Sequence, residues 1–170
     1  MQSLSTADRD PVARRALLFD ALDALDGLTG TSFDTQCTLK RAQQTLDWLT
    51  AELPAAVQPV LLPRARDAVE ALRLLQDGFF LPSRVGPDGL RLRNREGQDR
   101  AVPLADAAAS WLRMLRNAGH GFGSQKKRNE ARDAVLLVAH DGRFPPGLPD
   151  LAYLYLLQLL AHPEQLRRNR

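Results

Sequence analysis

Residues Pro103 to Arg132, PLADAAASWLRMLRNAGHGFGSQKKRNEAR, read as a helix, a glycine-broken corner and the start of a second, strongly basic helix. At roughly 100° per residue, Leu104, Ala108, Trp111 and Leu115 fall on one side, at the spacing of a buried stripe. Arg113, Arg116 and, if the helix extends that far, His120 lie almost opposite. Ala109 shares their side, where a methyl side chain would let another backbone approach closely. Two guanidiniums and an imidazole therefore leave the core together, near the helix end where the dipole favours positive charge.

Working outward from this stretch, the pattern stays helical. On its C-terminal side, Ser124 reads as the cap of a helix through Ala131, Val135 and Val138 to His140. Gly142, Pro145, Pro146, Gly147 and Pro149 make a stiff corner, and Asp150 reads as the cap of a last helix that is apolar nearly all round, a pattern expected to be enclosed by its neighbours. On the N-terminal side, Asp10 and Pro11 suit the start of a first helix with Val12, Leu18, Leu22, Leu25 and Leu28 facing inward, ended by Gly27 and Gly30. Asp34 reads as the next cap, before the stripe Leu39, Ala42, Leu46 and Leu49. Pro54, Pro59 and Pro63 predict an interrupted link, with a third helix from Pro63 that buries Ala65, Val69, Leu72, Leu75 and Phe79. Between Ser83 and Val102 the character changes: Gly86-Pro87-Asp88-Gly89 is a turn signal, Leu90 and Leu92 alternate with Arg91 and Arg93, and Glu96-Gly97 marks another turn. The expectation is an all-α antiparallel bundle of about five or six helices with a short β-hairpin or ordered loop inserted near 83–102. Residues 1–9 are expected to be a flexible N-terminus, 10–163 a single bundle domain and 164–170 a basic tail.

A chain of 170 residues can bury a core without disulfides or metals, and 44% hydrophobic with 25% charged residues is ordinary globular composition. The net charge of +3 is unevenly spread: Met1 to Glu52 holds five Lys/Arg against eight Asp/Glu, whereas Arg113 to Arg132 carries six basic residues and one acidic. Cys37 is the single cysteine, which excludes an intramolecular disulfide. Neither the histidines nor Cys37 have metal-ligand spacing, so no zinc site is expected, nor any other cofactor. The first ten residues lack a signal-peptide pattern, and Leu151 to Ala161 is too short to span a bilayer, which together predict a cytoplasmic protein away from membranes. There is no Gly-x-Ser-x-Gly elbow, Rossmann glycine signature or P-loop.

Leu115-Arg116-Asn117-Ala118-Gly119-His120-Gly121 resembles the motif helix of the HEPN superfamily, whose pattern is an arginine, usually followed by a polar residue such as asparagine, and then a histidine after four to six intervening positions. Two registers are open. Arg116 has Asn117 as its polar neighbour but only three residues before His120; Arg113 has six, with Met114 as its neighbour. The resemblance implies a helical bundle that dimerises so that two motifs meet across an interface, with RNA as partner and metal-independent endoribonuclease activity of toxin or defence type. A toxin of that type would have a neutralising protein partner.

The residue chemistry fits that implication independently. Arginine stays charged and offers a planar donor fork to phosphate oxygens, and histidine exchanges a proton near neutrality. Metal-free RNA cleavage needs a base to take the 2′-hydroxyl proton and cations to stabilise the charge building on the phosphate. One histidine per subunit supplies both base and acid only if two subunits share the site. The candidate catalytic set is therefore Arg113, Arg116, Asn117 and His120, with Asn117 orienting the imidazole or holding a phosphate oxygen. Ser124, Lys126, Lys127 and Arg128, at the start of the basic helix, form a candidate phosphate-binding set. Two other readings stand beside this one. The same basic face could serve a noncatalytic module that binds a protein or nucleotide, or Arg113 and Arg116 could be solvated while His120 joins the helix C-cap between Gly119 and Gly121.

Overall fold

The computed structural model describes residues 11–93, 98–120 and 145–164, and everything below concerns these. Six α-helices are described: α1 (Pro11–Thr29), α2 (Phe33–Gln36), α3 (Leu39–Glu52), α4 (Gln58–Asp77), α5 (Leu104–His120) and α6 (Leu151–Ala161). Between α4 and α5 lies a three-stranded antiparallel sheet of β1 (Val85–Gly86), β2 (Gly89–Arg93) and β3 (Asp99–Val102), in the order β1-β2-β3. The architecture is thus the expected helical bundle with a small β insertion, one strand richer than a hairpin. The expected N-terminal segment 1–9, the helix from Ser124 to His140 and the tail from residue 165 onward lie outside the described residues.

Helix α6 packs against α1, α3 and α4, and α5 packs against α2, α4 and β2. One contiguous core results, with Leu22, Leu49, Leu62, Leu72, Leu75, Trp111, Leu112, Leu148, Leu151 and Leu154 fully enclosed. Several expectations need correction. Leu28 and Leu104, assigned to inward stripes, are 48% and 38% exposed; each lies in the terminal turn of its helix. Helix α6 is not enclosed all round: Leu156 and Leu160, one turn apart, are 45% and 69% exposed. Among the described residues no helix is long and apolar enough to cross a membrane.

The link between α3 and α4 is shorter than the prolines imply. Helix α4 starts at Gln58, not Pro63, because Pro59 falls in the first turn, where its missing N–H has no helical partner to lose, and Pro63 forfeits only one bond further along. Gln58 then closes the corner by donating from Nε2 to the carbonyls of Thr50 and Leu53, 2.9 and 2.8 Å away. The capping residues also differ from expectation. Ser32 accepts from the Thr35 N–H to start α2, Thr38 accepts from the Arg41 N–H to start α3, and Asp34 is left free for a long-range contact. Asp150 does precede α6, yet its carboxylate accepts from Arg64 rather than from the helix, at 2.9 Å to Nε and 2.5 Å to Nη2.

Two glycines are required by geometry. A Cβ on Gly147 would lie 2.2 Å from the Asp67 carbonyl oxygen, so the loop before α6 can touch α4 only without a side chain. At Gly89, where φ is +116°, a Cβ would meet the Val102 oxygen at 2.0 Å, so the tight β1–β2 turn and the β2–β3 pairing both demand glycine. We expect Gly89→Ala to cost about 2 kcal/mol or more in urea unfolding, the size of backbone strain plus overpacking. A cost under about 0.5 kcal/mol would contradict the register.

Candidate functional site

Helix α5 runs without a break through His120, so positions 113, 116 and 120 lie within roughly 60° of arc on one side of it. Trp111 and Leu115 sit on the other side and are buried. The geometric condition set by the sequence, that the helix last as far as His120, is met by the backbone. Ser124, Lys126, Lys127 and Arg128 lie outside the described residues.

Both guanidiniums on this face are paired within the chain. Arg113 Nη1 donates to Asp34 Oδ2 at 2.9 Å, and Arg116 Nη1 donates to Asp23 Oδ1 at 2.8 Å. The Arg116 guanidinium also covers the ring of Phe33, 4.6 Å from its centroid, a cation–π contact on a ring that is itself buried. The acidic N-terminal part of the chain is therefore folded onto the basic helix, with α1 and α2 supplying one carboxylate each. Ala109, expected to admit an approaching backbone on this side, is already buried within the chain. Asn117 remains exposed beside the ion pairs. Asp34 keeps one oxygen, Oδ1, buried and without a partner among the described residues.

Exposed ion pairs of this kind contribute about 0–1 kcal/mol each. A phosphate could therefore compete for either guanidinium at modest cost. In the free chain the face is locally neutralised, and its cations are aligned by their carboxylates rather than left mobile.

Beneath this face lies Cys37, fully enclosed. Burial first, and then the charge of Asp34, pushes its thiol far above the usual range, with Arg116 opposing and Asp23 reinforcing the shift. That makes Cys37 an inert packing residue, since the reactive form of cysteine is the thiolate.

A second constellation escaped the sequence reading. A groove of about 360 Å³ lies between α3 and the end of α6, lined by Arg41, Thr45 and Trp48 from one side and Gln158 and His162 from the other. Gln158 Oε1 accepts from Arg41 Nη2 at 3.1 Å and from Thr45 Oγ1 at 3.3 Å. The His162 ring lies 4.3 Å from Trp48, tilted by 41°, and its Nδ1 pairs with the Glu164 carboxylate. Behind the groove, Arg41 sits over the Tyr155 ring, whose hydroxyl donates to the Gln36 carbonyl at 2.5 Å. The sequence signal was present but ordinary: Arg41, Thr45 and Trp48 recur at i, i+4, i+7 next to the core stripe, a pattern that usually marks a solvated helix flank.

No family model, curated protein or solved structure matches this chain.

Proposed function

We propose that this chain is an RNA-binding helical protein of HEPN type, with the Arg113/Arg116/His120 side of α5 as its contact face. Where two copies share that face it acts as a metal-independent endoribonuclease. The observation that carries the reading is the unbroken course of α5 through His120, which keeps two arginines and a histidine on one side of one rigid element. In the proposed reaction His120 of one copy removes the 2′-hydroxyl proton, the freed oxygen attacks the adjacent phosphorus, and His120 of the other copy protonates the departing 5′ oxygen. Arg113 and Arg116 exchange their carboxylates for phosphate oxygens as charge accumulates there, and Asn117 orients the imidazole or holds a phosphate oxygen. Ser124, Lys126, Lys127 and Arg128 would extend the backbone contact. A toxin or defence role in the cytoplasm, with a neutralising protein laid over the same face, belongs to this reading.

The second reading is a noncatalytic binding module for a protein or nucleotide. It is favoured by the pairing of both guanidiniums, since Arg113–Asp34 and Arg116–Asp23 latch α5 to α2 and α1 whether or not RNA is present.

The test uses a fluorescent single-stranded RNA and the full chain. RNA contact predicts binding that weakens at least tenfold between 50 and 200 mM salt, as counterion release requires. Catalysis predicts metal-independent cleavage that falls roughly a hundredfold in His120→Ala, with RNA affinity largely kept. Salt-insensitive or absent binding would overturn the RNA reading. Salt-sensitive binding with cleavage absent, or unchanged in His120→Ala, would leave the noncatalytic reading in its place.

A further inference from the structure

We infer that the groove between α3 and the end of α6 is a binding site for a small aromatic oxyanion, a ring bearing a carboxylate or a phosphate, in which Arg41 and Gln158 take the oxyanion and the Trp48–His162 pair takes the ring. This inference goes beyond the RNA reading and does not rest on it.

The argument begins with the hydrogen bonds that the fold leaves unmade. Arg41 carries only donors, and so does the Thr45 hydroxyl when it faces an acceptor, so the amide of Gln158 must turn its oxygen toward them. Its NH2 group is thereby directed elsewhere, with no partner among the described residues. Arg41 uses Nη2 on Gln158, while its Nε is buried with no partner among the described residues. Buried polar groups are ordinarily satisfied, whether by protein, water or ligand. The groove thus has an interior wall of incompletely used donors around one fixed positive charge.

Its other wall is aromatic. Trp48 and His162 lie with ring centroids 4.3 Å apart, tilted by 41°, along the groove that Arg41 also lines. The carboxylate of Glu164, also on the rim, pairs with the His162 ring. At about 360 Å³ the space is at the small end of ligand pockets, large enough for a single ring with its oxyanion. A cation would face Arg41, and a purely aliphatic ligand would leave the donors unpaired, so the donor set and the ring wall together select an aromatic oxyanion.

The full chain contains two tryptophans, and Trp111 is fully enclosed, so fluorescence changes on titration report Trp48. Phenyl phosphate and benzoate are the probes, and benzamide is the neutral control of the same shape. Saturable quenching by either oxyanion, with benzamide at least tenfold weaker, is the expected result; the tighter of the two probes identifies a phosphate or a carboxylate source. In Arg41→Gln, with helical circular dichroism unchanged, affinity should drop tenfold to a hundredfold, the range of a charge-assisted hydrogen bond. The comparison with benzamide needs no variant and decides the matter if Arg41→Gln does not fold. Equal affinity for benzamide, absence of saturable binding by both oxyanions, or an unaltered affinity in a folded Arg41→Gln protein would overturn the assignment.

Discussion

Trp111→Ala is expected to destabilise the protein by about 3–5 kcal/mol, the range for emptying a large aromatic site in a well-packed core. Trp111 is 0% exposed and meets Phe79 and Phe80 edge-on, with ring centroids 5.4 and 5.8 Å away, while those two rings meet each other at 5.7 Å. Three aromatic faces thus close the seam where α4 ends, the sheet begins and α5 returns. Each such pair adds to simple area burial. Domains of this size hold only about 5–15 kcal/mol in total. Trp111→Ala should therefore shift the urea midpoint strongly at unchanged slope, and Trp111→Phe should lie between it and the parent. A loss under about 1 kcal/mol for the alanine variant would mean that α5 is not seated as described. The consequence extends to the candidate site, since Arg113 and Arg116 are aimed by the helix that Trp111 anchors from its other side.

Much of this arrangement was legible because it is local. The helical period placed Ala108, Trp111 and Leu115 inward, and the Gly-Pro-Asp-Gly turn with alternating Leu90 and Leu92 located the sheet. Phe80 was harder, since it lies beyond the end of α4 and belongs to no helical stripe, yet it is only 3% exposed. Misreadings arose where one local signal had two uses. Asp34 has the chemistry of a cap, but Ser32 and Thr38 already cap the adjacent helices, and Asp34 bonds instead to a guanidinium 79 residues away. Pro63 looks like a helix start, but on the exposed side of α4 the chain tolerates one missing bond.

The candidate sites were legible in proportion to how many of their members lie on one helix. Positions 113, 116 and 120 share α5, so their phase follows from sequence. Their partners Asp23 and Asp34 come from α1 and α2, and nothing in the local pattern announces that the acidic N-terminal part folds onto the basic helix. The groove is more hidden still, because Arg41 and Gln158 are 117 residues apart and each looks unremarkable alone. Closing such distances depends on the packing of α6 between α1, α3 and α4, a tertiary fact.

Alkaline pH should unfold this protein with unusual steepness. Cys37 is fully enclosed and the nearly enclosed Tyr155 donates its hydroxyl to the Gln36 carbonyl; burial, ahead of any neighbouring charge, holds both groups protonated far above their ordinary ranges. In the unfolded chain the thiol releases its proton near pH 8.5 and the phenol near pH 10. Above those values the unfolded state binds fewer protons than the folded one, so stability present below about pH 8.5 is lost as pH rises. The loss is about 1.4 kcal/mol per pH unit for the thiol alone and about twice that once the phenol also ionises, which amounts to about 4–5 kcal/mol by pH 11. Urea midpoints at pH 8, 9, 10 and 11 measure it. Cys37→Ala should flatten the decline from about pH 8.5, and Tyr155→Phe should flatten only the part above pH 10, although its loss of one hydrogen bond lowers the starting value. A decline identical in the parent and both variants would show that neither group is shielded from solvent. Because the Gln36 carbonyl bonded to Tyr155 lies two residues beyond Asp34, which holds Arg113, the same alkaline loss should release the α2 segment that pins the arginine face.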